Sequence, residues 1–321
     1  MHIPEDRADG SVMGRDPDYL AFMRRRLASP PPAGRRTIEE IRREHAADLA
    51  PLPRPAVAVV QDLTLDGPGG PLPARLYRPS ADSPVPAMVY FHGGGWALGD
   101  VDSYDPVVRA LAVASGVGWV SVDYRRPPEH PFPAPVDDAV AAIAQVTARA
   151  GDLGLDPARI GAAGDSAGGQ LAASAALRLR DARAAAPVLQ LLVYPAVDLR
   201  EIPPDPPDPD GLEFSPSGLA RIVRLYLGDT DRTRPEVSPL MDPDPAGLPP
   251  TIIATAEYDK LRPQAEQYAR HLRAAGVPTT LITGTGLDHG FLGWGSYARR
   301  PAEAVAQIGT AVRHALHSPT P

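Results

Sequence analysis

The chain has 321 residues and a mass of 34.0 kDa, with 40 prolines, 29 glycines, no cysteine and a formal net charge of −7. The absence of cysteine removes disulfides, thiolate metal sites and a cysteine nucleophile. An acidic balance (pI ≈ 5.6) argues against general nucleic-acid or anionic-membrane binding, while 43% hydrophobic content supplies a core despite the prolines.

Residues 1 to about 15 are polar and read as a frayed start. MHIPEDRADG has no basic stretch followed by an apolar one, and no segment reaches the roughly 18 uncharged apolar residues of a membrane helix. The expectation is a cytoplasmic protein without stable membrane insertion. Asp16-Pro17 then offers an N-cap and a proline at the first helical position, ahead of Tyr19, Leu20, Phe22, Met23 and Leu27. A second helix starts at the capping box Thr37-x-x-Glu40. Proline-rich breaks at Pro30 to Pro32 and from Pro51 to Pro55 close the two helices.

From Val57 the apolar period shortens to two, and an Asp-Gly-Pro-Gly-Gly turn between AVAVVQDLTL and LPARLY predicts a hairpin. Strands come next at PAMVYF, GWVSVDY, RIGAAG, VLQLLVYP, TIIATAEY and PTTLITG, with helical stretches near 103–115, 135–150, 167–183, 263–275 and 301–317. Alternating β and α units imply an α/β fold with a mostly parallel central sheet covered on both faces. Residues 198 to 250 break the rhythm with dense proline, an acidic run from Asp198 to Glu213 and one short helical piece, GLARIVRLYLG. An insertion of this length between strands reads as a lid or a long loop.

Two glycine-rich loops carry chemistry. Gly164-Asp165-Ser166-Ala167-Gly168 falls between a strand and an apolar helix, the context of a nucleophile elbow. Such a turn exposes the Ser166 hydroxyl and demands small neighbours. The bland alternative is a glycine-rich loop around a buried serine. His92-Gly93-Gly94-Gly95-Trp96 comes directly after the strand PAMVYF, and consecutive glycines let backbone N–H groups face a cavity. Gly93, Gly94 and Ala167 are the expected donors to an oxyanion. A phosphate-binding loop competes weakly, because neither GxxxxGK[ST] nor GxGxxG is present. His92 reads as a structural hydrogen-bonder, and Asp165 as a buried anchor of the elbow. Trp96 and Trp294 are candidates for an acyl pocket or for plain core.

A serine needs a base, and the base needs an orienting acid. Of eight histidines, His289 alone lies after a late strand inside a glycine-rich loop. Asp259 closes the strand TIIATAEY and gives the chain order Ser, Asp, His. Asp198 is a rival acid, and an N-cap is the competing role for Asp259. Asp288, adjacent to His289, is poorly placed to reach its Nδ1. No His, Asp and Glu cluster has metal-ligand spacing, so no metal or other cofactor is expected.

Five motifs together make the chain resemble the bacterial hormone-sensitive-lipase-like esterases of the α/β-hydrolase fold. They are HGGGW (92–96), DYRRPPEHPFPAPVDD (123–138), GDSAGG (164–169), EYDKLR around Asp259 and DHGF around His289, in a resemblance covering about 57 to 315. The chain departs from the family at Arg126-Pro127, where Leu-Ala is usual, and in the segment after Asp259. The resemblance implies a helical cap formed by residues 1–55 and by an insertion at about 199–245 within a catalytic domain spanning 56–321. It also implies cofactor-free hydrolysis of short-to-medium acyl esters by Ser166, Asp259 and His289, with a small-molecule ester as partner. A dedicated deacylase or lactonase acting on a specialised metabolite is an alternative, as is a binding protein on a hydrolase scaffold, and a homodimer is left open.

Overall fold

The structure is a computed structural model that describes residues 14–28, 36–81, 84–204, 210 and 218–317. The first thirteen residues, the break at Pro30 to Pro32 and much of the acidic run from Asp198 to Glu213 lie outside the described residues.

Helices α1 (Pro17–Leu27) and α2 (Ile38–Leu49) open the chain. The capping box forms as the sequence predicts: Glu40 N–H donates to Thr37 Oγ1, and Thr37 N–H donates to the Glu40 carboxylate. Asp16 departs from expectation. Its side chain makes no cap bond and instead pairs with Arg299 at 2.9 Å and Arg300 at 2.7 Å, because two guanidinium ions are stronger partners for a carboxylate than one backbone amide. Arg15 is not frayed either. Its side chain is fully buried and paired with carboxylates of distant segments.

Strands β1 (Val59–Gly67) and β2 (Gly70–Arg78) form the expected hairpin around Pro68-Gly69. The α/β part then runs β3 (Val85–Phe91), α3 (Val101–Ser115), β4 (Gly118–Val122), α4 (Ala134–Ala148), β5 (Leu155–Asp165), α5 (Ala167–Asp181), β6 (Gln190–Val193), α6 (Leu219–Leu227), β7 (Thr251–Tyr258), α7 (Arg262–Ala274), β8 (Thr279–Asp288) and α8 (Arg299–His317). They make one eight-stranded sheet in the order β1-β2-β4-β3-β5-β6-β7-β8, parallel from β4 through to β8.

The inner parallel strands are buried almost throughout, as their unbroken apolar runs require of strands covered on both faces. Val136, Ile143, Leu171, Leu177, Tyr268 and Leu272, from α4, α5 and α7, pack on one face. Tyr19, Val108, Leu111, Ile308 and Val312, from α1, α3 and α8, pack on the other. The chain leaves β3 for β4 on one side and returns to β5 on the other. That reversal opens a crevice beyond the carboxyl ends of β3 and β5, where ligands of such sheets bind. Both glycine-rich loops start there.

Candidate active site

Ser166 occupies the turn between β5 and α5 with φ 55° and ψ −115°, a conformation a side-chain-bearing residue adopts only where its surroundings hold it. Two glycines allow the turn. A Cβ on Gly168 would run into the Phe91 carbonyl, and one on Gly164 into the backbone of Gly168. Ser166 N–H donates to the Val193 carbonyl (2.8 Å), fixing the elbow to β6.

The candidate acid and base come from two later strand ends. Asp259 sits just past β7 and His289 just past β8. His289 Nδ1–H donates to Asp259 Oδ2 at 2.7 Å, and Ser166 Oγ–H donates to His289 Nε2 at 2.9 Å. The structure thus brings together three side chains separated by up to 123 positions in sequence. Asp259 does not take its competing role of N-cap, which falls to Leu261 without a side-chain cap bond; instead its Oδ1 accepts the Leu261 N–H at 2.9 Å in a local turn that fixes the carboxylate plane. Asp198 takes no part. It pairs with Arg200 at 2.8 Å, and the Nδ1 it would serve belongs to Asp259.

Burial alone would lower the pKa of His289, but the charge of Asp259 and its hydrogen bond outweigh that and raise it above the ordinary 6.5. His92 shows the opposite balance. It is completely buried, and desolvation holds its pKa down at about 3, so the ring is neutral. Its Nδ1–H donates to the Gly93 carbonyl (2.9 Å), and its ring stacks on Tyr124 at 4.4 Å. The structural reading of His92 is the one observed.

Asp165 anchors the elbow to the other loop. Its Oδ1 accepts the Tyr90 hydroxyl at 2.5 Å and the Gly93 N–H at 2.7 Å. Burial pushes this carboxyl up, against those two hydrogen bonds that pull it down. The second bond corrects the sequence reading of the loop. Gly93 cannot offer its N–H to a substrate oxygen, because Asp165 already holds it. Gly94 and Gly95, both at positive φ (96° and 61°), line the cavity beside Ser166 and Ala167. That leaves the second and third glycines of HGGGW as the candidates that line the cavity. The sequence reading did not include the third; the positive φ it shares with Gly94 separates those two from Gly93, and a triplet of identical residues does not reveal it.

The cavity over Ser166 has a volume of about 660 Å³, in the range of small-molecule sites. Its floor is formed by Ser166, Asp259, His289 and the glycine loop. Its walls are mainly apolar: Met23 and Leu27 from α1, Leu49 from α2, Leu219 and Ile222 from α6, and Leu292 and Trp294 after His289. Trp96 and Trp294 are both core and lining. Trp96 is fully buried, donates to Gln170 Oε1 at 2.9 Å and stacks on Tyr226 of α6 at 4.4 Å. Tyr194, which the sequence did not single out, places its ring 4.7 Å from that of His289. Among the described residues no group of three or more His, Cys, Asp or Glu could hold a metal ion, and no helix is long and apolar enough to cross a membrane.

A family model for the alpha/beta hydrolase fold matches residues 88–293. An esterase of Mycobacterium tuberculosis, LipI, is 38% identical in an alignment spanning 86% of this chain and 88% of its own. The ethyl acetate hydrolase of Pseudomonas putida is 35% identical over 80% of this chain and 83% of its own. Among solved structures, a hyperthermophilic esterase from Pyrobaculum calidifontis superposes with a TM-score of 0.85 at 36% identity, covering 94% of this chain and 98% of that one.

Proposed function

Since the chain belongs to the α/β-hydrolase fold family, on the side of that family that resembles the hormone-sensitive-lipase-like esterases, we propose that it is a serine carboxylesterase acting on short-to-medium acyl esters of small molecules. One observation carries the residue assignment: the unbroken hydrogen-bond chain from the Ser166 hydroxyl through His289 to Asp259, at 2.9 and 2.7 Å, on the floor of an apolar cavity.

In this reading neutral His289 takes the Ser166 proton at Nε2 as Oγ attacks the ester carbonyl carbon. Asp259 keeps the proton on Nδ1, aims the ring and stabilises the imidazolium that forms. The carbonyl oxygen gains a full negative charge and lies against the N–H groups of Gly94, Gly95 and Ala167, the last at the N-terminus of α5. Each such donor is worth on the order of 100-fold in rate. The tetrahedral intermediate collapses, His289 returns the proton to the leaving alcohol, and Ser166 keeps the acyl group. Water, deprotonated by the same Nε2, then releases the carboxylic acid and restores the serine. Helices α1, α2 and α6 act as the cap that sets acyl and alcohol size.

The test is hydrolysis of p-nitrophenyl acetate and butyrate by the wild type and Ser166→Ala. Loss of at least about 10⁴-fold is expected for a triad nucleophile. Undiminished turnover in the variant would remove Ser166 from the reaction. A panel of lactones and acylated natural products, ranked by kcat/KM against simple esters, separates a general esterase from a dedicated deacylase.

A further inference from the structure

Arg15 has no part in the acyl-transfer chemistry, yet it is among the most thoroughly held side chains near the site. Its side chain is fully buried. Nε donates to Asp288 Oδ2 at 2.8 Å and Nη2 to Asp288 Oδ1 at 2.5 Å, a two-pronged pair. Nη1 and the backbone N–H both donate to Asp210 Oδ2, at 2.9 and 3.1 Å. The guanidinium carbon sits 4.3 Å from the centre of the Tyr258 ring.

These partners matter because each is the chain neighbour of a triad residue. Tyr258 precedes Asp259 and Asp288 precedes His289, and the two are cross-strand neighbours where β7 and β8 end. Asp288 N–H also donates to the Tyr19 hydroxyl of α1 at 3.3 Å. One cation is therefore wedged between the residues immediately before the proposed acid and base, and its remaining prong reaches Asp210 in the insertion after β6. A carboxylate as buried as that of Asp288 needs a charged, geometrically matched partner, and a guanidinium fork supplies two parallel bonds that fix its plane.

We propose that Arg15 is a positioning residue for His289 and Asp259, and that Asp210 steadies the outer prong of the same guanidinium. The proposal rests on the assignment of Ser166, His289 and Asp259 as the triad. Turning Asp288 or Tyr258 by a small angle would displace the next residue in the chain, and a misplacement of about 1 Å costs on the order of 100-fold in rate.

The experiment uses the full-length chain and p-nitrophenyl acetate, with reactive sites counted by fluorophosphonate titration so that kcat refers only to folded enzyme. Arg15→Met is expected to lower kcat per site by about tenfold or more, with KM within about twofold. Arg15→Lys, which restores the charge without the fork, should recover part of that loss. Asp210→Ala, which leaves the Asp288 pair intact, should lose only a few-fold in kcat per site. A kcat per site within twofold of wild type for Arg15→Met overturns the proposal. If that variant does not fold, wild-type kcat per site in both Arg15→Lys and Asp210→Ala overturns it. Undiminished turnover in Ser166→Ala would instead overturn the triad reading, so the two failures are distinguishable.

Discussion

The backbone N–H of Gly93 donates to Asp165 Oδ1 at 2.7 Å, joining two loops 72 residues apart. The carboxylate before the serine thereby holds the glycine before the two cavity-lining glycines. The elbow and the candidate oxyanion loop are built as one rigid piece.

Asp165→Asn should disturb both stability and turnover. The amide keeps one acceptor but loses the charge that strengthens the bonds from Gly93 and Tyr90, each worth about 1.5–3 kcal/mol to a charged partner. Urea denaturation should show a loss of about 2 kcal/mol, and kcat should fall by tenfold or more as the loop loosens. Wild-type values in both assays would show that the anchor is dispensable.

The pH profile reflects the raised pKa of His289. The base works only when neutral, so activity falls as pH drops through its folded value, and the acid limb of kcat/KM should lie above 6.5. Asp259→Asn removes the largest raising influence and leaves burial, which lowers the pKa, so the limb should move to lower pH. The same change should reduce kcat by about 10³ to 10⁴. An acid limb that rises in the variant would contradict the assignment of Asp259.

His92 predicts acid lability of the fold. Its pKa is about 3 in the folded chain and near 6.5 when unfolded, so the unfolded state binds more protons between those values. Stability from this group is complete above pH 6.5 and declines by about 1.4 kcal/mol per unit as pH falls toward 3. Denaturant titrations at pH 7 and pH 5 should differ by about 2 kcal/mol more in the wild type than in His92→Asn, which retains a donor for the Gly93 carbonyl. Equal pH dependence in the two proteins would place the buried proton elsewhere.

Gly95 tests the contact between α6 and the loop. A Cβ there would lie 2.6 Å from Ile222 Cγ2, at φ 61°. Gly95→Ala should lose about 100-fold in kcat through combined steric and backbone strain. Adding Ile222→Ala should return the steric part alone, measured as partial recovery of kcat. No recovery would mean that the backbone conformation dominates.

Much of this was legible in the sequence because it rests on local rules. Hydrophobic period located the strands, Thr37 and Glu40 marked a helix start, and the strand-to-helix context of Ser166 and the order Ser, Asp, His pointed to three side chains that lie in one hydrogen-bonded chain. What escaped was set by long-range pairing. The fate of the Gly93 N–H depends on which way a peptide plane turns, and three identical glycines give no hint of it. Asp16 looked like a cap because Arg299 and Arg300, some 280 residues away, are invisible to a local reading. Arg15 looked like a frayed polar residue for the same reason: its partner Asp288 is 273 positions distant.

The strand order has one more consequence. Ser166 leaves an inner strand, whereas His289 rides on β8, the last in the sheet and partly exposed along its length. The hairpin lies at the far edge, three strands and more from the elbow. Fraying of that hairpin is expected to leave the three side chains in register, whereas an opening confined to β7, β8 and α8 would part imidazole from hydroxyl without melting the rest. Turnover is therefore expected to follow the integrity of this one end, with activity lost alongside protection of the β8 amides and below the global melting temperature.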